Sequence, residues 1–295
     1  MGAWRQGLSG VVTGERSFAG WHIAAPHKWQ RERAITLVST DHIVAFARWE
    51  IAIAAGVLGA VVGSFLGAAL VRLPKGDTVV SGRSRCDGCE RVLGPLELVP
   101  VLSFLALRGR CKACKAPIDR GQFAAEIGGA MVGVAAALFA RDGAMLGIGL
   151  VLGWQLLLLG LLDLRHFWLP NRLVILLVAT GLIPAALAAA SDIQLLAGPL
   201  LGAALGFGLL WFAALLYRRL RGREGLGAGD PKLLGAIGLW LGPLGVVETL
   251  LGASLIGLAA VGALVLARRT PAADTALPLG TLLALAGFAV YLAQN

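Results

Sequence analysis

Apolar positions fall in long unbroken runs, and the length of each run decides what it can form. From Trp49 to Val71 the chain carries IAIAAGVLGAVVGSFLGAALV, enough to cross roughly 30 Å of hydrocarbon as a helix. A mixed loop, 72–121, follows, then apolar runs at about 122–140, 143–162, 173–190 and 195–217 with short turns between them. A basic loop covers 218–232. The next run, 233–267, is interrupted at Gly242-Pro243, and a last run covers 277–292. The pattern predicts an all-α fold, a polytopic membrane helical bundle. It has about eight transmembrane helices if 233–267 crosses twice and seven if it crosses once. The run 95–107 (PLELVPVLSFLAL) is too short to span and is expected on the membrane surface or packed against the bundle.

Composition agrees. The 295 residues are 57% apolar and 15% charged, against about 25% charged in soluble domains, and disorder would need low hydrophobicity and high net charge. The net charge of +9 raises nucleic acid as a partner, but the 26 Lys and Arg residues sit between spans. Ten lie between Arg72 and Arg120 and five between Arg218 and Lys232, the pattern of cytoplasmic loops. No aromatic residues interleave with these charges as in a nucleic-acid surface, so lipid is the expected surroundings and nucleic acid is excluded. With 72–121 inside, eight spans put Asp163, the 218–232 loop and Arg268-Arg269 inside too. Seven would place those two arginines outside, against the bias.

Residues 1–48 form a weakly basic extension of unknown role without the zones of a signal peptide, read as a disordered tail or an overlong start. The expected division is therefore this extension, a first transmembrane helix over 49–71, a cytoplasmic four-cysteine loop over 72–121 and a multi-helix membrane domain over 122–295. Glycines at 59, 63 and 67, and at 198, 202 and 206, put small residues on one helix face, which suits close helix packing or a functional backbone approach at Gly63 or Gly67.

The chain's four cysteines form two C-x2-C pairs, Cys86/Cys89 and Cys111/Cys114. Each pair can hold one ion from a tight turn, and four thiolates close a tetrahedral shell, the signature of structural Zn2+. In the loop that charge places in the reducing cytosol, disulfides are disfavoured. Arg85, Arg110, Lys112 and Lys115 would offset the excess negative charge of such a centre.

Carboxylates beside apolar spans are costly and are functional candidates by default. Asp163 ends the run LLLLGLLDLRHFWLP, and Asp230 ends Gly227-Ala228-Gly229-Asp230 before Pro231 and Lys232 open the next helix. Two carboxyls meeting in a desolvated pocket cannot both ionise cheaply, so one keeps a proton while the other acts as base, the arrangement that hydrolyses peptides. The alternatives are interfacial roles: a helix cap for Asp230, or a partner of Arg165 or Arg172 for Asp163. Glu126, one turn into a span, faces either a cavity or the interface, and His166 reads as an interface anchor.

In order, GSFLGAALVRLP (63–74), the cysteine pairs, LVPVLSFLALRGRC (98–111), DLRHFWLPN (163–171), GLGAGDPKLLGAIGLWLG (225–242) and LPLGTLLALAG (277–287) resemble the type IV prepilin peptidases. These are bifunctional leader peptidases and N-methyltransferases of type IV pilus and type II secretion systems. The resemblance covers about residues 56–290. It implies an aspartic endopeptidase of the inner membrane with Asp163 and Asp230 catalytic and opening to the cytoplasm. It further implies prepilin or pseudopilin substrates cut after a glycine, and methylation of the new amino terminus by S-adenosylmethionine. Gly227, Gly229, Lys232 and Glu126 would support the site; Cys86, Cys89, Cys111 and Cys114 would bind the metal. The chain departs from the family at Gly67 (usually asparagine), Asp87 (often proline), Asn171 (usually aspartate) and Leu279-Gly280-Thr281, where a Phe-Gly-Pro run is usual. The competing reading is a non-enzymatic assembly or transport protein whose zinc loop recruits a partner.

Overall fold

A computed structural model of the chain describes residues 27–79, 84–223, 225–267 and 277–295. It divides into two units, Met1–Phe46 and Ala47–Asn295. In the first, residues 1–26 lie outside the described residues, and 27–46 are helical. The expected arginine pair 268–269 also lies outside them.

The helices are α1 (His27–Arg72), α2 (Leu102–Ala106), α3 (Arg120–Phe139), α4 (Gly143–His166), α5 (Asn171–Ala189), α6 (Ala197–Arg221), α7 (Asp230–Leu266) and α8 (Leu279–Gln294). No strand forms among the described residues. Among the described residues, six helices, counting α1 from Arg48, are long and apolar enough to cross a membrane, and α8 is a shorter apolar one. The chain is a multi-pass membrane protein. Within α7, Gly242 has φ 72° and ψ −176°, outside helical space and open chiefly to glycine. With Pro243 unable to donate to the preceding turn, this splits α7 where the sequence is interrupted, so the count of transmembrane segments depends on whether its two halves are separate spans.

Polar residues mark where helices start and stop. Asp119 Oδ1 accepts from Gly121 N at 2.6 Å to cap α3, and Asp142 Oδ1 accepts from Met145 N at 2.8 Å to cap α4. Gly222, at φ 68°, ends α6 after Arg218, Arg219 and Arg221, cations that suit a helix C-terminus.

The first half of α7 is the centre of the bundle. Leu233, Leu234 and Ile237 are buried there with Leu156 and Leu159 of α4, Leu177 of α5 and Leu283 of α8. Val57 and Val61 of α1, Leu187 of α5 and Leu258 of α7 are exposed, as a lipid-facing surface requires. The glycine faces make backbone-to-backbone crossings. A Cβ on Gly59, Gly63 or Gly67 would run into Gly129, Ala125 or Gln122 of α3, and one on Gly202 or Gly206 into α7. Gly198 has no such neighbour. The short run 95–107 packs against the bundle through Phe104, whose ring stacks on Phe123 of α3 at 4.2 Å, while Leu96 and Leu102 stay exposed.

Candidate functional site

Asp163 lies near the end of α4, which closes at Phe167, a left-handed residue (φ 49°) whose N–H bonds Asp163 O. Asp230 is the first residue of α7, with Pro231 after it, the place where a helix accepts both an anion and a proline. Although 5% and 7% exposed, both aspartates line one open cavity of about 610 Å³. Its walls include Trp168 and Leu169 after α4, the glycine loop 225–229, and Leu279 of α8. The structure therefore brings together the two carboxylates that the sequence singled out.

Of the alternative roles, neither the Asp163–Arg165 pair nor a cap bond from Asp230 is formed. Arg165 does not pair with Asp163; it grips Asp119 with two bonds of 2.8 Å. That guanidinium holds the Asp119 carboxyl below its ordinary value. Asp230 begins its helix and makes no side-chain cap bond. Asp163 Oδ2 instead accepts from Thr281 N at 2.8 Å and lies 3.2 Å from Thr281 Oγ1, which also donates to Gly160 O at 2.8 Å.

The supporting residues predicted from sequence divide. Gly227 and Gly229 border the cavity because side chains there would press on Asp230 Oδ2 and on Leu169. Lys232 Nζ donates to Asn171 Oδ1 at 2.9 Å, joining the starts of α7 and α5 at the rim. Glu126 is elsewhere. Its Oε2 accepts from Val101 N at 2.7 Å and faces a second cavity of about 200 Å³ between α1, α3 and the cysteine loop. His166 is exposed, as an interface residue would be.

The four cysteine sulfurs lie within 4.8 Å of one another and could hold a metal ion. Cys86 Sγ and Cys114 Sγ are 3.7 Å apart. Sulfurs bound at roughly 2.3 Å to a tetrahedral Zn2+ would be roughly 3.8 Å apart, so the donor set fits. Each pair sits in a turn of the same kind. Glu90 N bonds Cys86 O and Lys115 N bonds Cys111 O, with Glu90 (φ 54°) and Lys115 (φ 59°) in the left-handed region. Backbone N–H groups of Cys114 and Ala113 draw the Cys111 thiol down, while burial and the facing thiols push the Cys114 thiol up; a metal requires both as thiolates. Arg91, not foreseen from sequence, bonds Glu97 at 2.6 Å and also contacts Cys111.

Profiles of two domains match the chain: the bacterial peptidase A24 N-terminal domain over residues 57–140, and the type IV leader peptidase family over 150–262. A prepilin leader peptidase/N-methyltransferase of Stutzerimonas stutzeri is 34% identical over 263 residues, 80% of this chain and 88% of that protein. The chain belongs to the type IV leader peptidase family. Two further relatives with the same description, from Pseudomonas aeruginosa and Burkholderia pseudomallei strain 1026b, are 33% and 35% identical, covering 79% of this chain and 87% and 82% of theirs. No solved structure gives a significant match. For this leader peptidase family member, both aspartates lie in the region matched by the peptidase profile, and the cysteine cluster in the other.

Proposed function

We propose that the chain is a prepilin leader peptidase and N-methyltransferase of the inner membrane, with Asp163 and Asp230 as its acid–base pair facing the cytoplasm. One observation carries the reading: two buried carboxylates, from helices far apart in sequence, line a single cavity with room for a peptide. The ionised carboxylate takes a proton from a water that attacks the peptide carbonyl, and the protonated one hydrogen-bonds the carbonyl oxygen. Collapse of the tetrahedral adduct breaks the C–N bond as the departing amine gains a proton. A scaffold function would leave this buried pair without a task.

The cytoplasmic orientation rests on Arg218, Arg219 and Arg221, which end α6 directly before the loop that lines the cavity. Prepilins or pseudopilins, with basic leaders cut after glycine, are the expected substrates. We assign zinc to the four cysteines as a structural ion. S-adenosylmethionine would supply the methyl group. The cavity beside Glu126, about 200 Å³, is smaller than the roughly 300 Å³ usual for such ligands and does not fit the whole donor.

The test is cleavage of a reconstituted prepilin in the presence of a labelled methyl donor. Asp163→Ala and Asp230→Ala should each abolish leader removal while the protein still inserts into membranes. Cleavage retained by either variant would end the proposal.

A further inference from the structure

Thr281 is the third residue of α8, and its backbone N–H belongs to the first-turn donors that a helix cannot satisfy internally. Pro278 precedes the helix and offers no side-chain cap. The missing acceptor comes from 118 residues away, where Asp163 Oδ2 meets Thr281 N at 2.8 Å with Thr281 Oγ1 at 3.2 Å. Gly280 makes the approach possible: a Cβ there would fall 2.9 Å from Asp163 Cγ and 3.0 Å from Leu169 Cδ1.

An amide N–H only donates, so the oxygen that it meets at this distance must accept. The Thr281 hydroxyl has one proton to share between Gly160 O, at 2.8 Å, and Oδ2. Through Gly160 it also fixes the last turns of α4 to the start of α8. Oδ2 is thereby committed, leaving Oδ1 as the oxygen of Asp163 available to exchange a proton with water or Asp230.

We propose that Thr281 is a positioning residue for the peptidase pair, holding Asp163 Oδ2 as a standing acceptor and turning Oδ1 to the reaction. The assignment rests on reading Asp163 as catalytic. It also gives a consequence to the departure at Leu279-Gly280-Thr281: the proline usual at the third position of that run has neither an N–H nor a hydroxyl, so neither donor exists where that proline stands.

The experiment compares kcat and KM for cleavage of a prepilin by the reconstituted full-length enzyme and its Thr281→Ser, Thr281→Val and Thr281→Pro variants, with Asp163→Asn alongside. Ser keeps both donors and should stay within about twofold of wild type. Val keeps the shape and loses the hydroxyl, so kcat should fall about tenfold with KM unchanged, as for loss of a hydrogen bond to a charged group. Pro loses both donors and should fall further. If Val does not yield folded protein, Thr281→Ala is read by the same criterion. Wild-type kcat in the hydroxyl-free and Pro variants would overturn the assignment, and so would equal losses in Ser and Val, which would make the position one of packing. Cleavage retained by Asp163→Asn would bring down the catalytic pair itself, a result distinct from either.

Discussion

At the scale of single residues, the acidic pair is tightly surrounded. Gly280 touches Asp163 and Leu169 closely enough that one added methyl group must displace them. Gly280→Ala should cost about 1–3 kcal/mol of stability by overpacking and reduce leader cleavage disproportionately, because the displaced group is the carboxyl. Parallel melting and cleavage measurements would check this, and unchanged turnover would show that the contact relaxes harmlessly. Asp163, Asp230 and the four cysteines were legible because each is a rare residue type in its setting. Thr281 and Arg165 were not. Each acts through a partner that only folding supplies, 118 residues away for Thr281 and 46 for Arg165, and no local spacing announces such pairs.

At the scale of elements, hydrophobic run length located nearly every helix, since a bilayer requires a fixed rise of continuous apolar backbone. Gly242-Pro243 in sequence likewise marked the break in α7. What run length could not reveal is how the cysteine loop is tied to α4, which falls to the Arg165–Asp119 pair at the entrance to α3. Asp119→Ala removes both this pair and the helix cap, and should lower unfolding stability by about 2 kcal/mol. Asp119→Asn, which can still cap, should cost about 1 kcal/mol. Because Arg165 depresses the folded-state pKa of Asp119, the pair contributes fully above the unfolded carboxylate's range and is lost as pH falls through the lower folded value. Asp119→Asn should therefore differ from wild type at neutral pH and converge on it in strong acid, whereas Asp119→Ala, which also lacks the cap, should stay below it throughout. Denaturation series at neutral and acid pH would show this.

At the scale of the molecule, the bundle and the cysteine loop rely on different forces. The bundle is held by apolar packing around α7, whereas the loop between residues 84 and 118 has short helical turns and two isolated bridges. Metal removal should accordingly expose the loop to protease and leave the helical content of α3–α8 unchanged, with one zinc released per chain. Limited proteolysis with a strong chelator, beside metal analysis and circular dichroism, would test this, and a loop equally resistant without metal would contradict it.

The split in α7 has one more consequence. Residues 230–241 make about 18 Å of helix at 1.5 Å per residue, well short of an ordinary hydrocarbon layer. An aspartate mounted on so short a post cannot reach one face of a bilayer while the post's other end reaches the opposite one. With the halves of α7 as separate spans, either the lipid dimples inward around it or water enters to meet it, and acyl-chain length becomes a setting of the catalyst.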